Sequence, residues 1–171
     1  AHESFGHKSE SDFMVGDETM KKEWVLGKKV GSNILNIVDT GSIEGAGYVP
    51  FDDEGTKCKK NYIIKDGILN GRLHSSSTAT ILDENLTGNA RAMNFLYEPL
   101  VRMTTTFIDK GSDTKESLFA NVKAGIYIDT IRHGSGMTTF TIAPARAYII
   151  RDGKISEPVK ISVNKFLYIS C

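Results

Sequence analysis

Cysteine is nearly absent from this chain of 171 residues, which has only Cys58 and Cys171. Two cysteines are too few for a disulfide framework and fit a reducing compartment. An excess of either charge is also missing. The 21 Lys and Arg balance 21 Asp and Glu, so no global field exists to hold a nucleic acid. The densest basic run, "KCKK" at Lys57 to Lys60, closely follows the acids Asp52, Asp53 and Glu54, and reads as a solvated face. No apolar run approaches the roughly 20 residues that span a bilayer, and no signal peptide precedes the first charged residues. These absences predict a cytoplasmic protein with no nucleic-acid partner and no membrane span. A hydrophobic fraction of 40% with 25% charged residues is that of a globular protein. The length predicts one domain over residues 1–171.

What is present is mostly strand signal. "ILNIVDTG" (Ile34 to Gly41) is a short apolar run closed by a turn, and the stretch after it, rich in glycine and acids, reads as loop. "YIIKDGIL" and "YIIRDGKI" place Asp66-Gly67 and Asp152-Gly153 between β-branched runs, the strongest short hairpin signal. Two helices are expected between them, at Ser76 to Leu86 and at Asp113 to Gly125. In the second, Asp113 would cap with Glu116 three residues on, Leu118, Phe119 and Val122 would share a face, and Gly125 would end it. The expected class is α+β, β-rich, with antiparallel hairpins and a few short helices.

The chemistry-bearing stretch is "HESFGH", Ala1 excluded: His2, Glu3 and His7 in an HExxxH spacing. A hydrolytic zinc takes about three protein ligands and keeps one position open, with a base close by. Histidines five apart are separated by about 140° on a regular α-helix. Both reach one metal only where the turn loosens to i→i+5, and Gly6 inside the motif makes that distortion less costly. Glu3 would then be the general base. Read alone, the same residues also fit exposed side chains at a frayed end. The acids Asp52, Asp53 and Glu54 fit either a hard-metal cluster or a turn whose carboxylates accept backbone N–H groups and face Lys57, Lys59 and Lys60. Arg91 and Arg102 fit either a peptide carboxylate or neighbouring acids. His74 and His133 read as surface or loop imidazoles.

Six blocks in order, "HESFGH", "FDDEG", "IIKDGILNGRL", "TGNAR", "PLVRMTTTF" and "AYIIRDGKISEPV", resemble the TldD/PmbA family of metallopeptidases, in its TldD-like, motif-bearing branch. The resemblance implies part of a larger TldD-like peptidase fold: a zinc peptidase with His2 and His7 as metal ligands and Glu3 as catalytic base. Its substrates would be unfolded or short peptides, and it would pair as a homo- or heterodimer with a family member. It also implies a longer parent chain, with an α/β domain upstream and a downstream segment that supplies a cysteine ligand. Cys171 is the one late cysteine here, and Cys58 falls where the family shows no ligand. "RMTTTF" departs from the family's usual RMTN by carrying Thr105, which offers one hydroxyl in place of an amide. The alternative expectation is a non-catalytic, β-rich assembly fragment of the same family with no competent metal site.

Overall fold

A computed structural model describes residues 1–136, 139–162 and 164–167. It is α+β and strand-rich, with antiparallel sheets and short helices. The chain falls into two compact units, the first covering Ala1–Lys110 and the second beginning at Gly111. No helix among the described residues is long and apolar enough to cross a membrane.

The first unit opens with a π-helical turn, His2–Gly6, which runs into α1 (His7–Ser9), α2 (Asp12–Gly16) and α3 (Glu18–Glu23). Asp17 caps α3 by accepting from the Thr19 and Met20 N–H groups, the side-chain cap that a helix start requires. A four-stranded antiparallel sheet follows, built from β1 (Ile37–Thr40), β2 (Asn61–Lys65), β3 (Ile68–Leu69) and β6 (Thr105–Ile108) in the order β3-β2-β1-β6. All four residues of β1 are buried. Ile37, Val38, Ile63, Ile64 and Leu69 form the core with Met14, Leu73 and Val101, all fully excluded from solvent. Between these strands lie α4 (Ser76–Leu82) and a two-stranded ribbon of β4 (Ala90–Arg91) and β5 (Leu100–Val101). Ser75 and Thr78 form a reciprocal capping box at α4, and Asp83 ends the helix in a left-handed conformation, so it is shorter than the sequence suggests.

The second unit holds α5 (Lys115–Ala120) and a sheet of β7 (Ala124–Gly136), β8 (Thr139–Arg151), β9 (Lys154–Pro158) and β10 (Asn164–Leu167), with β8 at its centre. Thr114, not Asp113, caps α5: its hydroxyl accepts from the Ser117 N–H while its own N–H donates to the Ser117 hydroxyl, a full capping box. The helix stops at Ala120 rather than Gly125, and Leu118 is exposed. Phe119 instead packs edge-on against Tyr127 of β7, with ring centres 5.2 Å apart.

Both Asp-Gly turns form as expected. Asp66 and Gly67 have φ of 52° and 76°, and Asp152 and Gly153 have 46° and 78°. Positive φ at both central positions marks the tight turn whose twist matches the flanking strands. Lys65 pairs with Ile68 and Arg151 with Lys154 directly across the turns. Gly67 carries a second constraint. The Leu35 carbonyl accepts from its N–H, and a Cβ there would overlap the carbonyl oxygens of Gly31 and Ser32. Gly67→Ala should therefore destabilise by about 2 kcal/mol or more, combining left-handed strain with backbone overlap. Gly153→Ala, whose Cβ would meet Ala120 at 3.0 Å, should cost less. Urea unfolding midpoints at unchanged slope check the order.

Candidate metal centre

The π-helical turn is made by hydrogen bonds five residues apart. Gly6 N–H donates to the Ala1 carbonyl at 3.2 Å, and the His7 N–H donates to the His2 carbonyl. The wider turn carries His2 and His7 to one side, with ring centres 4.9 Å apart and planes at 86°. Ser4, Phe5 and Gly6 face inward and are buried, while His2, Glu3 and His7 keep access to solvent. One potential ligand atom from each of those three residues lies within 4.8 Å of the others. His7 Nε2 is 3.8 Å from a Glu3 carboxylate oxygen. Two Zn–N bonds at the tetrahedral angle set their nitrogens roughly 3.3–3.4 Å apart, so the side chains must draw together by up to about 1.5 Å, a change of rotamer rather than of backbone, to share one ion. Two imidazoles are donors that suit zinc, and the Glu3 carboxylate lies beside them.

The turn is fixed from below. Gly6 has ordinary helical angles, φ −61° and ψ −55°, so the structure assigns its role to space rather than backbone freedom. A Cβ at Gly6 would collide with the Sδ of Met103. Phe5 lies beside Trp24, and Ser9 donates from its hydroxyl to the Phe5 carbonyl at 2.9 Å. The segment is tied to the "NGRL" block through Leu73, whose N–H donates to the Ser9 carbonyl and whose carbonyl accepts from Ser11. Glu10 is buried, 2% exposed, with one oxygen 3.0 Å from His7 Nδ1 and the other accepting from the Met103 N–H at 3.4 Å. Sequence reasoning missed Glu10, although its position three residues after His7 puts it on the same helical face.

The acid triplet serves the backbone. Asp52 accepts from the N–H groups of Glu54, Thr56 and Ala90, Asp53 from Ala92, and Glu54 from the N–H and hydroxyl of Ser76. The expected pairing with the following lysines is not what forms, and Lys60 bonds Asp109 at 2.7 Å. Among the described residues the group of three potential ligands is His2, Glu3 and His7, with none from the acid loop. A second buried carboxylate, Asp39, accepts from Asn89 Nδ2 at 2.8 Å, the Thr104 N–H and hydroxyl, and the Thr106 hydroxyl at 2.6 Å. Arg91 and Arg102 flank an open cleft of about 700 Å³ beside Met93, Leu96 and Tyr97. Neither makes an ion pair among the described residues.

His133 lies exposed on β7. His74, read as a surface or loop imidazole, lies in a loop but is 1% exposed, because Thr78 and Glu84 take its two ring nitrogens at 3.2 and 3.1 Å. Cys58 is buried, its sulfur accepting from the Gly41 N–H. Cys171 lies outside the described residues.

Comparison with known proteins follows this geometry. A family model described as the PmbA/TldA metallopeptidase C-terminal domain matches residues 1–168. A metalloprotease of Methanocaldococcus jannaschii is 40% identical over 163 residues, covering 93% of this chain and 36% of the relative. A zinc metalloprotease TldD homolog of Saccharolobus solfataricus is 31% identical over 163 residues, again 93% of this chain and 36% of the relative. The chain spans about a third of the length of the curated relatives it matches. The crystal structure of TldE from Thermococcus kodakarensis superposes with a TM-score of 0.77 at 17% identity, over 96% of this chain and 38% of that one. That likeness shows the fold.

Burial pushes the His74 imidazole below its ordinary value, against the opposing pull of Glu84. The unfolded state therefore binds the proton more readily than the folded one, and stability falls as pH drops through the ordinary histidine value, about 6.5. The loss is absent above that value. His74→Gln should flatten this part of the pH–stability curve between roughly pH 7.5 and 5.5, measured as the difference in urea midpoint from the unsubstituted chain.

Proposed function

The chain belongs to the PmbA/TldA metallopeptidase C-terminal domain family, and we propose that it carries the catalytic turn of a zinc-dependent peptidase acting on unfolded or short peptides. The observation that carries this reading is the i→i+5 turn that gathers His2, Glu3 and His7 within 4.8 Å. In this reading His2 and His7 hold the metal, and a further ligand is supplied from outside the described residues.

Zinc supplies Lewis-acid polarisation to a carbonyl and to a water beside it. The rest of the work belongs to the protein. Glu3, partly exposed and 3.8 Å from His7 Nε2, takes a proton from the attacking water and passes it to the leaving amine. The buried face formed by Ser4, Phe5 and Gly6 holds the turn so that the three side chains converge. Arg91 and Arg102, which make no ion pair among the described residues and flank an open cleft, suit the carboxylate or carbonyl oxygens of a bound peptide.

The test is hydrolysis of an unstructured fluorogenic peptide by the intact zinc-loaded protein and its Glu3→Gln form. Loss of the base should lower kcat by about 10²–10⁴-fold while zinc remains bound, and a chelator should abolish activity that added zinc restores. Activity equal in both forms, or indifferent to the chelator, contradicts the reading. A protein that binds neither zinc nor peptide is instead a non-catalytic assembly module.

A further inference from the structure

We propose that Glu10 is a positioning residue of this centre: it holds the His7 imidazole in the tautomer that leaves Nε2 bare toward Glu3 and the metal position. The inference rests on the reading of His2, Glu3 and His7 as a metal site, and it concerns a residue outside that group.

A carboxylate that is 2% exposed must find donors inside the protein, since burying a charge without partners is costly. Glu10 has two. One oxygen lies 3.0 Å from His7 Nδ1, and the other accepts from the Met103 N–H at 3.4 Å. Among the described residues His7 is its one ion-pair partner. A carboxylate accepts and does not donate, so the proton between the two groups sits on Nδ1. The neutral ring then presents Nε2 as a lone pair, and Nε2 is the nitrogen that faces Glu3. The two nitrogens of His7 are thus divided between the protein interior and the open group.

The local sequence explains how Glu10 gets there. His7 begins α1, and Glu10, its C-terminal flanking residue, has φ −70° and ψ 108°, so the chain leaves the helix just after bringing the carboxylate beneath the ring. A single parallel β-bridge between Glu10 and Leu73 fixes the backbone at that point. The Met103 N–H fixes the second oxygen, and Met103 also fills the space against Gly6. Glu10 therefore couples the ring orientation of His7 to the connection between β5 and β6, where Met103 supports the turn. A histidine whose far nitrogen donates to a carboxylate is also a more basic ligand, and removing such a partner typically weakens metal binding 10–100-fold.

Two readouts on the intact protein test this, with Glu10→Gln and Glu10→Ala. Long-range ¹H–¹⁵N correlation on the metal-free protein reads the His7 tautomer, and competition with a chromophoric chelator reads zinc affinity. The unsubstituted protein should show the Nδ1–H form. Glu10→Gln, which keeps shape and an acceptor oxygen, should retain that form and bind zinc roughly 10-fold more weakly, and Glu10→Ala should shift toward Nε2–H and lose up to about 100-fold. Glu10→Gln keeps the test open if Glu10→Ala does not fold. An Nε2–H ring in the unsubstituted protein, or zinc affinity in both variants within threefold of it, overturns the role of Glu10 alone. No zinc uptake by the unsubstituted protein overturns the metal reading and the inference with it, and the tautomer measurement, which needs no metal, tells the two failures apart.

Discussion

A single buried carboxylate, Asp39 in the central strand, organises the first unit. It is fully excluded from solvent and accepts from Asn89, from the backbone and hydroxyl of Thr104, and from the hydroxyl of Thr106. Hydrogen bonds to a charged group contribute about 1.5–3 kcal/mol each, so four donors offset the desolvation that would otherwise forbid the charge. The result joins three sequence blocks at one point: the end of "ILNIVDTG", the asparagine of "TGNAR" and the threonines of "RMTTTF". Asn89 also donates to the Arg102 carbonyl, so the backbone on both sides of Met103 is held.

Met103 passes that order to the π-helical turn. Its thioether occupies the space where a side chain at Gly6 would stand, and its N–H meets Glu10 beneath His7. From Asp39 to His7 the path runs through Thr104, Met103 and Glu10, each link a hydrogen bond or a chain neighbour. Two buried acids thus act in series, one fixing the connection between β5 and β6 and one fixing the imidazole. The polar face of the turn can stay open because its other face is packed so closely.

What could be read from the sequence were the features with local causes. The Asp-Gly hairpins follow from two adjacent residues and their flanks, and the i→i+5 turn follows from the histidine spacing. The start of α5 was misread by one residue, because Thr114 and Ser117 satisfy each other's backbone where Asp113 and Glu116 do not. Asp39 escaped notice because its partners lie 50 to 67 residues away, and periodicity carries no signal at that range. The burial of His74 in its loop was not legible either, because its second ring nitrogen is taken by Glu84, ten residues on. The acid triplet was legible as turn chemistry, which Asp52 performs on the Glu54 and Thr56 N–H groups, but its further partners Ala90, Ala92 and Ser76 belong to other segments.

In the proposed reading the widened turn directs both His2 and His7 at one metal. X-ray absorption at the zinc edge of the intact loaded protein tests it most directly. The account predicts two imidazole nitrogens at about 2.0–2.1 Å, with one imidazole lost in His2→Ala and one in His7→Ala. A first shell without imidazole scattering, or one unchanged by both substitutions, would contradict it.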